Sequence, residues 1–202
     1  MKRVALIDYG IGNLRSVEKA LQAVGAETCL TSRAEEILAA DKVVLPGVGA
    51  FGDGMAGLRE RGLVKVVRQV VEQGRPCLGI CVGMQLLFEV SEEMGEHAGL
   101  GLLPGRVKRF PGHGLKIPQT GWNQLQFAAS PLMEGLETGC YAYFNHSYYC
   151  APVETGDILA STNFGVIYAS MVGRGRLYGV QFHPEKSQAV GLQILSNFVE
   201  RG

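Results

Sequence analysis

The sequence predicts one α/β domain over residues 1–202, with a mostly parallel central sheet flanked by helices and with mixed or antiparallel strands added in the C-terminal half. Three observations lead there. In the first half, short runs that are apolar throughout alternate with amphipathic segments, the pattern of a parallel sheet covered on both faces. From Gly105 onward, Tyr/Val/Thr-rich runs separated by turns replace that alternation. The chain has 202 residues, 47% of them hydrophobic, which suits one core of ordinary size.

Val4-Ala5-Leu6-Ile7 is the first apolar run and ends at the turn Gly10-Ile11-Gly12-Asn13. Leu14, Val17, Leu21 and Val24 then fall on one face of a helix that Gly25 stops. A strand around 28–30 leads to a short helix over 34–39, and 43–45 forms a third strand broken by Pro46-Gly47. Leu63, Val67, Val70 and Val71 make the apolar face of the next helix, 77–80 is the fourth strand, and a helix is expected over 83–88. Later strands are expected over 106–110, 122–127, 140–149, 166–172 and 177–182. A final helix with Val190, Ile194, Leu195 and Phe198 packs back on the core, and no linker or internal repeat interrupts the chain.

The composition excludes several classes of function. Lys+Arg number 19 and Asp+Glu 19, a formal net charge of zero, whereas a nucleic-acid binder needs surplus cations to face phosphates. The one basic cluster, Arg106, Lys108 and Arg109, is short. No stretch approaches the roughly 20 apolar residues that span a bilayer, so no membrane association is expected. Asp8 ends the N-terminal apolar run too early for a secretory signal, and the expected location is cytoplasmic. The 5 cysteines (29, 77, 81, 140, 150) are odd in number and lack paired spacings, as expected of reduced thiols. Cys77 and Cys81, about 13 Å apart along a strand, cannot share one zinc ion. Neither metal nor cofactor is expected.

The most informative segment is Gly79-Ile80-Cys81-Val82-Gly83, where an apolar strand meets a helix. So tight a turn strains its central residue and pushes the side chain outward, and glycines at i−2 and i+2 let neighbouring backbone pass. This is the logic of a nucleophile elbow with cysteine in place of serine. The helix N-terminus favours thiolate over thiol, and the N–H of Val82 points where a substrate oxyanion forms. The alternative is a buried structural cysteine.

A cysteine nucleophile needs a base, and the base needs an orienting group. Of the histidines, His97 and His113 lie in Gly- and Glu-rich loop segments and are expected to be solvated. His183 ends a strand and is followed by Pro184 and Glu185; two apart in an extended segment, His183 and Glu185 point the same way. Cys81, His183 and Glu185 thus make a possible triad. His146 lies in an aromatic run whose Tyr141 and Phe144 are expected in the core, with Ser147 and Tyr148 offering backbone groups to a ligand. Gly47-Val48-Gly49-Ala50-Phe51-Gly52 formally matches a dinucleotide fingerprint, but the following strand ends in Cys81 where an acidic residue is needed. These glycines better suit a mobile loop whose N–H groups face the same oxyanion as Val82.

Pro46-Gly47-Val48-Gly49, Gly79-Ile80-Cys81-Val82-Gly83-Met84-Gln85 and His183-Pro184-Glu185 resemble the three signatures of class I, triad-type glutamine amidotransferases. Gly10-Ile11-Gly12-Asn13-Leu14, Phe51-Gly52-Asp53-Gly54-Met55, Gly121-Trp122-Asn123, Tyr143-Phe144-Asn145-His146-Ser147-Tyr148 and Phe182-His183-Pro184-Glu185-Lys186-Ser187 carry the resemblance along nearly the whole chain, toward the histidine-biosynthetic members. The resemblance implies a flavodoxin-like sheet and a Cys81 attack on the side-chain carboxamide of L-glutamine, with His183 as proton carrier and Glu185 orienting it. It implies an oxyanion hole from the N–H of Val82 and the Val48 and Gly49 region, a peptide of which turns before the hole is complete. Gly49, Gln85, Ser147 and Tyr148 match positions that hold glutamine, and Asn13, Tyr143 and Lys186 match positions near a partner interface and the ammonia exit. The implied partner is a (β/α)8-barrel cyclase subunit forming a heterodimer with this chain.

Two other readings stay open on the sequence. One is the glutaminase of a different synthase, such as that making pyridoxal phosphate, against which Gly121-Trp122-Asn123 and the Pro46-Gly47-Val48-Gly49 form count. The other is a non-catalytic binding module with an oxidisable Cys81. The His183 and Glu185 pair counts against that, since a redox-sensing thiol requires no oriented base.

Overall fold

The computed structural model describes residues 1–112 and 114–202; His113 therefore lies outside the described residues. The first half alternates as its pattern requires: β1 (Arg3–Ile7), α1 (Leu14–Ala23), β2 (Glu27–Thr31), α2 (Ala34–Ala39), β3 (Lys42–Leu45), α3 (Phe51–Glu60), α4 (Leu63–Glu72), β4 (Cys77–Ile80) and α5 (Val82–Gln85). Strands follow: β5 (Phe88–Ser91), β6 (His97–Ala98), β7 (Leu103–Arg109), β8 (Gln119–Gln124), β9 (Gln126–Phe127), β10 (Tyr141–His146), β11 (Tyr148–Pro152), β12 (Ile158–Asn163), β13 (Ile167–Arg174) and β14 (Leu177–Val180). Helix α6 (Gln188–Arg201) closes the chain.

The main sheet runs β2-β1-β3-β4-β14-β13-β11-β7-β5-β6, with β12 on β13 and β9 on β12. Strands β2, β1, β3, β4 and β14 are mutually parallel, while β13, β11 and β7 add antiparallel pairings. The central strands are solvent-free along their whole length, which is why they read as unbroken apolar runs. Helices pack the two faces through Leu21, Ile37, Val67, Ile194 and Phe198, all fully buried. Each such side chain contributes about 1.5–3 kcal/mol relative to leaving it in water.

Several expectations are corrected. The glycine-rich stretch after Gly49 is helical, not a loop, from Phe51 onward. Gly57 explains why glycine is tolerated there: a Cβ would lie 2.5 Å from the carbonyl oxygen of Tyr9, so the helix sits on the segment after β1 only without a side chain. The N-terminus of α3 is capped from afar, by Glu93 accepting the Phe51 N–H at 2.7 Å. The helix expected over 83–88 ends after Gln85, and Phe88 starts a strand. The 140–149 run is two strands that serve different sheets, β10 pairing only with β8 in an isolated ribbon. The 122–127 run likewise divides into β8 and β9, and β5, β6 and β12 lie outside every expected strand. Tyr141 is exposed on that ribbon rather than in the core, whereas Phe144, on the opposite face, is buried.

At the end of the sheet away from the loop after β3, Lys42 is buried. Its Nζ donates to the carbonyls of Phe198 and Gly202, each at 2.7 Å, and lies 5.5 Å from the Phe198 ring centre. Burial, with the Arg176 and Lys2 charges, pulls its pKa down to about 8. This ammonium fastens the last turn of α6 to the start of β3, sharing the Phe198 carbonyl with the Gly202 N–H and taking the Gly202 carbonyl, which lies beyond the helix.

Candidate active site

The segments after β3, β4 and β14 leave the sheet at one edge, the carboxyl ends of three adjacent parallel strands. Ligand sites in open α/β sheets form at such an edge. Here the three segments carry Val48 and Gly49, Cys81 and His183, and all four line one cavity of about 270 Å³. The separate sequence signatures converge because the strands bearing them are neighbours.

Cys81 sits at the junction of β4 and α5 with φ 55 and ψ −112, a strained conformation for a residue with a side chain. The strain is held by packing on both sides. A Cβ on Gly79 would lie 2.6 Å from the Gly83 carbonyl oxygen, and one on Gly83 would lie 1.9 Å from that of Leu45. The Cys81 N–H donates to Val180 at 2.8 Å, tying the elbow to β14. Val82 begins α5 and its N–H has no intrahelical partner, as an oxyanion donor requires. The expected dipole contribution is corrected: α5 is four residues long, too short for a substantial macrodipole. The positive charge beside the elbow comes instead from His183.

His183 is almost fully buried, and its N–H donates to the Tyr143 carbonyl at 2.9 Å. Its Nδ1 lies 3.0 Å from Glu185 Oε1, whose side chain is 1% exposed. The pair is not formed by an extended strand, as the two-residue spacing suggested; Pro184–Lys186 is a 3-10 turn that brings Glu185 back to the ring. Burial pulls the imidazole pKa down. Hydrogen bonds to Cys81 and Glu185, with the charges of both, overcome it and raise the pKa to about 10. The ring is therefore an imidazolium at neutral pH, beside Cys81.

Gln85, Ser147 and Tyr148 line the same cavity, with Lys186. The Gln85 amide nitrogen donates to the Tyr148 carbonyl at 3.1 Å. Lys186 Nζ stands 5.8 Å from the centre of the Tyr143 ring, so these two are brought together. Asn13 precedes α1 on the same edge of the sheet and lies apart from the cavity lining.

Four further residues shape the site without a sequence signal strong enough to single them out. Tyr9, wholly buried, donates its hydroxyl to the Pro46 carbonyl at the root of the loop that carries Val48 and Gly49. Gln181 places its Nε2 3.8 Å from Cys81 Sγ. Glu93 lines the cavity while capping α3. His146 lines the cavity, with Nδ1 2.7 Å from the Tyr148 carbonyl and Nε2 3.3 Å from the Tyr168 hydroxyl. Burial holds its pKa down at about 4, so the ring is neutral; Nδ1 carries the proton because a carbonyl only accepts. His97, expected to be solvated, is half-buried on β6 with its ring against Gly52. No group of side chains suited to a metal ion occurs among the described residues.

Residues 5–201 match the family model of glutamine amidotransferase class-I. The chain belongs to this class I glutamine amidotransferase family. It is 52% identical over 201 residues to the imidazole glycerol phosphate synthase subunit HisH of Moorella thermoacetica, covering 99% of this chain and 95% of that protein. The corresponding subunit of Geobacter metallireducens is 48% identical, with 98% of each chain covered. Among solved structures, PurLQS from Thermotoga maritima superposes with a TM-score of 0.77 at 20% identity, covering 98% of each chain, a likeness of fold.

Proposed function

We propose that this chain is the glutaminase subunit of an imidazole glycerol phosphate synthase of histidine biosynthesis. It hydrolyses L-glutamine to glutamate and ammonia and hands the ammonia to a cyclase partner. The observation that carries the chemistry is that Cys81 and His183 share one cavity while Glu185 holds the far nitrogen of the imidazole.

The steps follow from that geometry. The Cys81 thiolate adds to the side-chain carbonyl carbon of glutamine, forming a C–S bond and moving the π pair onto oxygen. The oxyanion is met by the N–H of Val82 and by the Val48 and Gly49 backbone. His183 gives its proton to the departing amine as the C–N bond breaks, releasing ammonia and leaving a γ-glutamyl thioester. Water then attacks the thioester, His183 takes its proton, and glutamate leaves as the thiolate is restored. Gly49, Gln85, Ser147 and Tyr148 hold the substrate's amino-acid end.

Ammonia released into water is protonated and lost as a nucleophile, which supports direct delivery to a (β/α)8-barrel cyclase in a heterodimer. There it is consumed in making imidazole glycerol phosphate and aminoimidazole carboxamide ribotide. The surface suited to that partner is the open face of the β8–β10 ribbon. Trp122 is 46% exposed and Tyr141 53%, and Trp122 packs on Tyr143, whose ring faces Lys186 of the cavity lining. Asn13, which precedes α1 at the same edge of the sheet, is assigned to the interface on the family resemblance alone. No helix among the described residues is long and apolar enough to cross a membrane, in keeping with a cytoplasmic enzyme.

The test is glutamate release measured across cyclase concentrations with the cyclase's ribotide ligand present. Release is expected to saturate at one cyclase per chain, and Cys81→Ser is expected to abolish it while the heterodimer still forms. Turnover retained in Cys81→Ser removes the nucleophile assignment; release that ignores the cyclase removes the partner.

A further inference from the structure

Cys81 and Gln181 are adjacent through strand register. Strands β4 and β14 pair in parallel, with Leu177 opposite Cys77 and Val180 opposite Ile80, so the next residues on each strand stand side by side. The Cys81 N–H bonds to Val180 and the Gln181 N–H to Ser170 at 2.9 Å, which fixes both backbones. Gln181 is fully buried, and its amide reaches the sulfur.

Which end of that amide faces the sulfur is decided by its neighbours. The Tyr148 carbonyl only accepts, so the group 3.1 Å from it on Gln85 is the nitrogen. That same nitrogen lies 3.1 Å from Gln181, which must therefore present its oxygen there. The Nε2 of Gln181 is left pointing at Cys81 Sγ. The Tyr148 carbonyl also accepts from Nδ1 of the neutral His146 ring.

We propose that Gln181 is a catalytic residue: its amide N–H donates to the sulfur of Cys81, stabilising the thiolate in addition to His183. The proposal rests on Cys81 being the nucleophile. A buried N–H aimed at an anion needs no reorganisation when charge develops, and a charge-assisted hydrogen bond is about twice as strong as a neutral one. The same donor meets the sulfur again when the thioester breaks and negative charge returns to it. Gln85 then has two duties, since both of its amide hydrogens are committed to Tyr148 and Gln181 and only its oxygen is free to meet a ligand.

The experiment compares the wild-type heterodimer with Gln181→Met, similar in length but without an N–H donor, and with Gln181→Glu, which offers only acceptors and a charge. The readouts are the pH dependence of Cys81 alkylation by iodoacetamide, followed on the Cys81 peptide by mass spectrometry, and kcat and KM for glutamine. Gln181→Met is expected to raise the alkylation midpoint by about one pH unit and to lower kcat about tenfold, with KM changed less than threefold. Gln181→Glu is expected to move both further in the same direction. A lowered melting temperature with an unmoved alkylation midpoint and kcat overturns the proposal. Cys81→Ser run in parallel separates the two ideas: if it retains turnover the nucleophile reading has failed, and if it is inactive while Gln181→Met behaves as wild type only Gln181's role has failed.

Discussion

The carboxylate of Glu185 stands 3.0 Å from Nδ1 of His183, and both side chains are almost wholly withdrawn from solvent. The second oxygen of Glu185 is buried without a hydrogen-bond partner, so its charge is balanced chiefly by the imidazolium. With the folded pKa at about 10 and an ordinary value of 6.5, the contacts of the ring with Cys81 and Glu185 together stabilise the fold fully below pH 6.5, and that contribution is lost as pH rises through 10. Glu185→Gln is expected to bring the imidazole titration, followed by ¹⁵N NMR, down toward neutrality, and to cut kcat by roughly 10²–10⁴. A titration left near pH 10 would place the imidazolium's support elsewhere.

His146 titrates in the opposite sense. Its folded pKa of about 4 lies below the ordinary 6.5, so the unfolded chain binds the extra proton and stability falls as pH drops from 6.5 to 4. At pH 4.5 the loss from this ring is roughly 2–3 kcal/mol. Urea unfolding at pH 7 and pH 4.5 should show a smaller acid loss in His146→Gln by about that amount. Equal acid losses in the two proteins would exclude the ring as the source.

Gly83 and Gly49 should respond differently to alanine. A methyl on Gly83 would collide with the Leu45 carbonyl, so Gly83→Ala is expected to destabilise the fold by several kcal/mol or prevent folding. At Gly49 nothing lies within 4 Å, and only the φ of +87 opposes a side chain. Gly49→Ala is expected to cost about 1–2 kcal/mol while changing glutaminase kcat, because the strain falls in the loop facing Cys81. Thermal melts together with glutamate release distinguish the two.

Trp122→Ala should separate assembly from folding. The ring is 46% exposed and packs edge-on against Tyr143 at 6.0 Å. Its removal is expected to leave the melting temperature within a few degrees and to weaken cyclase binding by about thirtyfold or more, as for a central aromatic anchor. Calorimetric titration with the cyclase checks this, and unchanged affinity would move the interface off the ribbon.

The parallel strands were legible because burial on both faces removes the polar residues that otherwise blur a pattern, and the elbow at Cys81 because flanking glycines are costly without a reason. What escaped reading is tertiary. Gly52 looks like loop until α3 is seen to include it with the His97 ring alongside, and that helix is seated where Gly57 lies against the Tyr9 carbonyl. Tyr141 and Phe144 belong to one aromatic run, yet the isolated ribbon turns Tyr141 to solvent. The contact between Gln181 and Cys81 depends on the register of two strands far apart in the chain, which no local pattern encodes.

Strand β3 spans only four residues, yet it begins at the ammonium of Lys42 and runs straight into the segment that carries Val48. Its two ends therefore do separate jobs. Damage near Lys42 should register in a calorimeter, whereas damage just past Leu45 should register in an assay of turnover. A sheet wired in this way can be reinforced at its quiet rim without disturbing the reactive one.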